Sequence, residues 1–224
     1  MAYILNIETA TTNCSVSVGE NGELKSLVEL NEKEYSHAEN LHVFIKQAIA
    51  EAGINLSDLS AIAVSKGPGS YTGLRIGVSA AKGLAFSLDI PLIAVTTLTS
   101  MAHQNNNPAD FIIPMLDARR MEVYAQVHDT NKTPLKETTA EIIEETSFAE
   151  YLAKGTVSFI GNGATKCQGV ITHKNAIFDN NILEPTAKEM VSISYEKYKN
   201  KEFEDVAYFE PYYLKDFIAG KKKA

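Results

Sequence analysis

Short apolar strands alternating with amphipathic helices mark this chain as α/β, and a turn-rich break near its middle divides it into two lobes. Three stretches carry that reading. Three strands joined by tight turns open the chain. An apolar run, Ala61-Ile62-Ala63-Val64, then feeds a glycine-rich loop and a long helical pattern. Asn105-Asn106-Asn107-Pro108 follows, and strands resume at Phe111.

Taken in order, Tyr3 to Ile7 reads as a strand and Glu8 to Asn13 as a polar turn. Cys14 to Val18 alternates with period two, and Asn21-Gly22 signals a hairpin before a third strand over Leu24 to Leu30. Ser36 with Glu39 forms a capping box, and Gly53 stops the helix it starts. Ala38, Leu41, Ile45, Ala48 and Ala52 make its apolar stripe, widened by Phe44 and Ile49. That face suits either its own sheet or a second protein.

The strand over Ala61–Val64 is broken by Gly67, Pro68 and Gly69, and a helix runs from about Thr72 to Leu88 before Pro91. Gly73, Gly77, Ala81 and Ala85 recur every four residues. A glycine inside a helix costs about 1 kcal/mol relative to alanine, so close approach of another backbone is implied. Leu74, Ile76, Val78, Leu84, Phe86 and Leu88 make the helix apolar nearly all round. The loop suits a strand-to-helix turn better than an anion site, because Gly73 is followed by Leu74 and Arg75, not by the Lys-Ser/Thr of a phosphate loop.

Pro91 to Val95 is a buried strand and Thr96 to about Gln104 a helix. Phe111 to Asp117 and Met121 to His128 form a hairpin around Ala118-Arg119-Arg120, with Val123, Ala125 and Val127 on one face. A short helix over Ser147–Lys154 and a strand over Val157–Ile160 follow. Gly161-Asn162-Gly163 reads as a strand-to-helix turn. A helix from Thr186 to about Lys199 precedes an extended element over Asp205–Asp216. The first lobe is therefore expected over residues 1–104 and the second over 105–224, with about 203–218 packing back on the first. The Lys221-Lys222-Lys223 tail is expected to be solvated.

Composition narrows the function. With 21 basic against 28 acidic residues and a net charge of −7, a surface built to grip a polyanion is not expected. Cys14 and Cys167 are far apart, which suits reduced thiols in a cytoplasmic protein. The start, Met-Ala-Tyr-Ile-Leu-Asn-Ile-Glu, turns polar too soon for a signal peptide, and no apolar run reaches the roughly 20 residues of a membrane span. His37 and His42 are five apart and cannot share a metal on a helix; His103, His128 and His173 have no ligand-like neighbours. Glu8 and Asp117, both at strand ends, form a carboxylate pair that could hold a cation through water.

Assembled, Ile4-Leu-Asn-Ile-Glu-Thr, Gly67-Pro-Gly-Ser-Tyr-Thr-Gly-Leu-Arg-Ile-Gly77, Ala81-Lys-Gly-Leu-Ala85, Asp117-Ala-Arg-Arg-Met-Glu-Val-Tyr124 and Pro211-Tyr-Tyr-Leu-Lys215 resemble the TsaB (YeaZ) family from end to end. That family supplies the non-catalytic subunit of the bacterial machinery for tRNA threonylcarbamoyladenosine. The resemblance implies an actin-like ATPase fold of two ribonuclease-H-like lobes with mixed sheets. It implies a partner, TsaD, that transfers threonylcarbamoyl to the adenosine beside the anticodon of ANN-decoding tRNAs, and an ATPase, TsaE, that joins them. It implies an interface on the two helices, carried by Ala38, Leu41, Phe44, Ile45, Gly73, Leu74, Gly77, Val78, Ala81, Lys82, Ala85 and Phe86, and a homodimer when TsaD is absent.

The same resemblance places a nucleotide or loop site at Glu8, Gly67, Pro68, Gly69, Ser70, Tyr71, Thr72, Arg75 and Asp117. No tightly bound cofactor or metal is expected; ATP or ADP could sit at the interface of the complex, and contact with tRNA is expected to be indirect. The catalytic paralogue carries His-x-x-x-His after the strand at Pro91, where this chain has Thr97 and Met101. A hydroxyl and a thioether are poor replacements for two imidazoles at such a metal. Glu8 stands where many actin-like ATPases place aspartate, and Arg75 where a phosphate-binding lysine would serve them. The expectation is a subunit without catalysis of its own. A stand-alone ATPase or small-molecule kinase is the alternative, and a metalloprotease is disfavoured by the absence of His-Glu-x-x-His.

Overall fold

The computed structural model describes residues 1–32 and 37–215. Five strands form the first sheet: β1 (Tyr3–Glu8), β2 (Asn13–Glu20), β3 (Glu23–Asn31), β4 (Leu59–Gly67) and β5 (Leu92–Thr96). Their order is β3-β2-β1-β4-β5, with only β2 reversed relative to the others. The β2–β3 hairpin turns on Asn21 (φ 52°) and Gly22 (φ 88°), the two residue types that take positive φ at least cost.

The second sheet repeats that plan. It contains β6 (Phe111–Asp117), β7 (Glu122–Ala125), β8 (His128–Asp129), β9 (Thr139–Ile142), β10 (Val157–Ile160) and β11 (Ala176–Asp179). The order is β11-β10-β6-β7-β9, with β7 running against its neighbours, and β8 pairs antiparallel with β6. Numbered from its own first strand, each sheet reads three-two-one-four-five. Two such lobes in tandem are the actin-like arrangement.

Helices α1 (His37–Ala52) and α2 (Tyr71–Leu88) cover one face of the first sheet, where Leu5, Ile7, Val16, Val18, Ile62 and Val64 meet Leu41, Ile45, Val78, Ala81 and Ala85. Helix α5 (Ala187–Lys199) covers the other face, against Ile4, Ala61, Ala63, Ile93 and Val95. Burial on both faces explains why β1 and β4 read as continuous apolar runs. Helix α3 (Thr97–Gln104) joins the lobes, packing its Leu98 and Met101 on Ile112 and Leu116 of β6. The short α4 (Ala149–Leu152) closes the second core over Phe159 and Val157.

Several expectations change here. The chain returns to the first lobe with α5, well before residue 203, because Ala187 and Met190 complete a core the first sheet leaves open. The predicted hairpin partner over Met121–His128 splits into β7 and β8: Pro114 has no N–H to offer, and Ile113 and Pro114 fall between the two paired stretches. β9 and β11 are not among the elements the sequence predicts. Both are four-residue edge strands whose exposed or half-buried residues carry little alternation. The segment after α5 is irregular rather than extended, with one bridge between Glu204 and Leu92. The cap at Ser36, the end of that element at Asp216 and the lysine tail lie outside the described residues.

Candidate functional site

The glycine-rich loop is a fastener between β4, α2 and the turn that joins β1 to β2. Ser70 N donates to Ala10 O at 2.6 Å, and Thr9 Oγ1 donates to Gly73 O at 2.8 Å. A Cβ on Gly69 would lie 2.4 Å from Ala10 O, one on Gly73 2.2 Å from Thr9 O, and one on Gly77 2.3 Å from Thr9 Oγ1. The glycines are required because the β1–β2 turn lies across the start of α2. Ser70 caps that helix by accepting from Gly73 N at 3.3 Å. The Ser70 and Gly73 N–H groups that a phosphate would seek are therefore used within the chain. The second lobe repeats the device: Gly163 N donates to Met115 O, and a Cβ on Gly163 would meet Leu116 C at 2.8 Å.

This geometry corrects the expected partner surface. Gly73, Leu74, Gly77, Val78, Ala81 and Ala85 are buried in the chain's own core, as are Leu41 and Ile45 of α1. Phe44 is half-buried on the same core. Lys82 is occupied too: its Nζ donates to Ala207 O at 3.1 Å and Phe209 O at 2.8 Å, clamping residues 203–215 as a strap along the first lobe. Of the expected residues, Ala38 and Phe86 stay exposed, and Phe86 at 81% is the most exposed phenylalanine among the described residues. The outer face of α2 is completed by Ser79 and Gly83, exposed, and Ile76 and Ala80, half-buried. On the adjoining α1, Val43 is 58% exposed. Small residues do line an open face of α2, but they are Ser79, Ala80 and Gly83 rather than the glycine repeat.

A cleft of about 690 Å³ opens between the lobes. The equivalent turns of the two sheets face each other across it: Ala10, Thr11 and Thr12 on one side, Asp117, Arg119 and Arg120 on the other. Pro68 to Thr72 form its first-lobe edge, and Tyr212 to Lys215 of the strap cross it. Tyr212 N donates to Lys66 O at 2.7 Å. The rings of Tyr71 and Tyr213 lie 4.8 Å apart, and the Arg75 guanidinium sits 4.1 Å over Tyr71 with Nε donating to the Tyr213 hydroxyl at 3.3 Å. Lys215 pairs with Glu122, and Lys166 pairs with Asp117. Asn162 Oδ1 accepts from Asp117 N at 2.8 Å while its amide donates to Glu184.

Of the residues expected at a nucleotide or loop site, Pro68, Gly69, Ser70, Tyr71, Thr72 and Asp117 line the cleft. Gly67 is buried against Tyr212 O, and Arg75 supports Tyr71 and Tyr213. Glu8 is fully buried at the end of β1; its Oε1 accepts from Ala10 N at 2.6 Å and its Oε2 has no hydrogen-bond partner. Burial pushes its carboxyl up to about 7, opposed by the Ala10 N–H and the Ser65 hydroxyl. Sequence reasoning missed the strap tyrosines, Tyr124 and the arginine turn as cleft residues. Their only signal was the Pro211-Tyr-Tyr-Leu and Ala-Arg-Arg motifs, which do not say where they fold.

At the positions aligned with the paralogue's histidines, Thr97 is buried and shares a 2.7 Å hydrogen bond with Ser65, and Met101 lies in the core with Leu98 and Ile160. His128 is buried, which lowers its imidazole to about 4. Burial raises both thiols, Cys14 and Cys167, to about 11, so they are protonated at neutral pH. Among the described residues, no three His, Cys, Asp or Glu side chains cluster as metal ligands, and no helix is long and apolar enough to cross a membrane.

Comparison with known proteins gives consistent matches. The family model of TsaD, tRNA N6-adenosine threonylcarbamoyltransferase, matches residues 31–223. The tRNA threonylcarbamoyladenosine biosynthesis protein TsaB of Escherichia coli K12 is 31% identical, over 98% of this chain and 97% of its own. The tRNA N6-adenosine threonylcarbamoyltransferase of Bacillus subtilis is 32% identical over 51% of this chain and 37% of its own length. Among solved structures, a Pseudomonas aeruginosa protein described as similar to the peptidase YeaZ superposes with a TM-score of 0.83 at 26% identity. It covers 96% of this chain and all of its own. YeaZ of the same organism superposes with a TM-score of 0.78 at 25% identity, over 96% of this chain and all of its own.

Proposed function

Because the chain belongs to the TsaB (YeaZ) family, we propose that it is a non-catalytic subunit that binds and activates TsaD. In that role it serves threonylcarbamoyl transfer to the adenosine next to the anticodon of ANN-decoding tRNAs, in the cytoplasm, and offers a platform on which TsaE joins the complex. The names of its relatives place them in the biosynthesis of this modified nucleoside. The observation that carries the partner reading is the outer face of α1 and α2, where Phe86 and Val43 stand open to solvent beside Ser79 and Gly83. Exposed apolar side chains beside small ones on a helix suit the close approach of another helix. The TsaD family model that this chain itself matches supports a partner of the same fold. Without TsaD the same face pairs with a second copy.

The burial of Thr97 and Met101 supports a subunit that does not hold the transferase metal, since neither side chain reaches an open site. Internal use of the loop N–H groups at Ser70 and Gly73 disfavours the stand-alone ATPase or kinase, which would need them for phosphate. On this reading any ATP or ADP sits at the interface of the complex rather than on the glycine loop. The test is co-purification with the organism's own TsaD, followed by an assay of threonylcarbamoyladenosine formation with and without this chain. A stable complex whose product is lost when the chain is omitted is expected. No complex and no effect on product would overturn the reading, and ATP turnover by this chain alone would promote the alternative.

A further inference from the structure

Only three of the chain's 21 basic residues are arginines; Arg119 and Arg120 line the interlobe cleft, and Arg75 packs on Tyr71 and Tyr213, which line it too. Arg75 lies at its first-lobe edge, over Tyr71. Arg119 and Arg120 form the opposite lip, both exposed, and neither enters an ion pair among the described residues. Their backbone is unusual: φ is 71° at Arg119 and 52° at Arg120. Glycine or asparagine would take that left-handed turn without strain, as Asn21 and Gly22 do in the first lobe. Two consecutive arginines there are held by Lys166, whose Nζ donates to Arg120 O and Glu122 O at 2.7 Å, and by Asp117 Oδ1, which accepts from Arg119 N. The turn thus keeps two arginines where glycine or asparagine would cost less.

We propose that this cleft binds a single-stranded segment of RNA, with Arg119 and Arg120 on its phosphates and the Arg75–Tyr71–Tyr213 stack beside a base. The inference rests on the tRNA reading above. Arginine is the residue suited to phosphate forks and to stacking on aromatic rings. Cations along an open groove with aromatic rings at one edge match the requirements of a flexible polynucleotide. Two of the three cleft carboxylates are neutralised within the chain: Asp117 and Glu122 are each paired with a lysine, while Glu184 keeps its charge and accepts from Asn162. The overall charge of −7 argues against RNA coating the surface, whereas at the cleft Arg119, Arg120 and Lys215 offset Asp117, Glu122 and Glu184, and Lys166 and Arg75 add cations beside it.

The test measures binding of an unmodified ANN-decoding tRNA transcript to the full chain, alone and in complex with TsaD, over a salt series. Replacement by Arg119→Ala with Arg120→Ala is expected to weaken binding about tenfold and to reduce the slope of log K against log salt by roughly 1.4, since each single-strand phosphate contact carries about 0.7. Arg119→Asn with Arg120→Gly should weaken RNA binding equally while raising the thermal midpoint. Lys154→Ala with Lys174→Ala, both exposed and outside the cleft, should leave the slope nearly unchanged. The proposal is overturned by no RNA binding, by an unchanged slope in the arginine variants, or by equal loss in the lysine control. Loss of ATP or ADP binding with RNA binding intact would also overturn it, assigning the cleft to a free nucleotide. Gel filtration with TsaD separates the two readings: an intact complex with unaltered RNA binding sinks only the cleft assignment, and no complex sinks the activator role.

Discussion

Two glycines of α2 should respond to the same substitution in opposite directions. Glycine to alanine in a helix ordinarily stabilises by up to about 1 kcal/mol. At Gly83 nothing lies within 4 Å of the added Cβ, so Gly83→Ala should realise most of that gain. At Gly73 the Cβ would stand 2.2 Å from Thr9 O, a backbone atom that cannot rotate away. Overpacking of this kind costs about 1–3 kcal/mol. Displacing Thr9 also breaks its buried 2.8 Å hydrogen bond to Gly73 O, worth about 1 kcal/mol. Gly73→Ala should therefore destabilise by about 1–3 kcal/mol. Urea unfolding with both variants at equal m-value gives the comparison. If both substitutions stabilise alike, Thr9 does not hold α2. If Gly73→Ala leaves stability alone and weakens capture of TsaD, the glycine repeat belongs to the partner face after all.

Two further outcomes follow from buried or clamped charges. Glu8 has its carboxyl raised from 4.5 to about 7, so the folded state binds its proton more tightly than the unfolded chain does. Its favourable contribution is complete below about 4.5 and is lost as pH rises through 7, a change of about 3 kcal/mol. Glu8→Gln should flatten stability between pH 5 and 7.5 and leave the variant more stable than wild type at pH 8; a wild-type profile already flat over that range would contradict this. Lys82→Ala removes both hydrogen bonds to Ala207 O and Phe209 O, so limited proteolysis should cut the 203–215 strap several-fold faster at unchanged core stability. An unaltered cleavage rate would show that the strap is held elsewhere.

Much of the fold was legible because periodicity is a local property. The three opening strands, the Asn21-Gly22 hairpin and both long helices follow from residues within one or two turns of each other. What resisted was the direction in which an all-round apolar helix faces. Leu74 and Val78 look as available to a partner as Phe86 does, and only Thr9, 64 residues before Gly73, decides that the glycine repeat turns inward. The cleft was half readable. Gly69, Ser70 and Asp117 announce themselves by motif, whereas Tyr213 arrives from a strap whose path is fixed by Lys82, and Arg119 and Arg120 gain meaning from a positive φ that sequence does not display.

The outer face of α1 and α2 is the surface on which the subunit role depends. Reconstitution of threonylcarbamoyladenosine formation from the organism's TsaD and this chain, wild type or carrying Val43→Glu with Phe86→Glu, tests it most directly. Both side chains are exposed, so the variant should keep wild-type stability, fail to co-elute with TsaD and leave product at the level seen without the chain. A variant that still assembles with TsaD and restores full product would place the working surface somewhere else on the molecule.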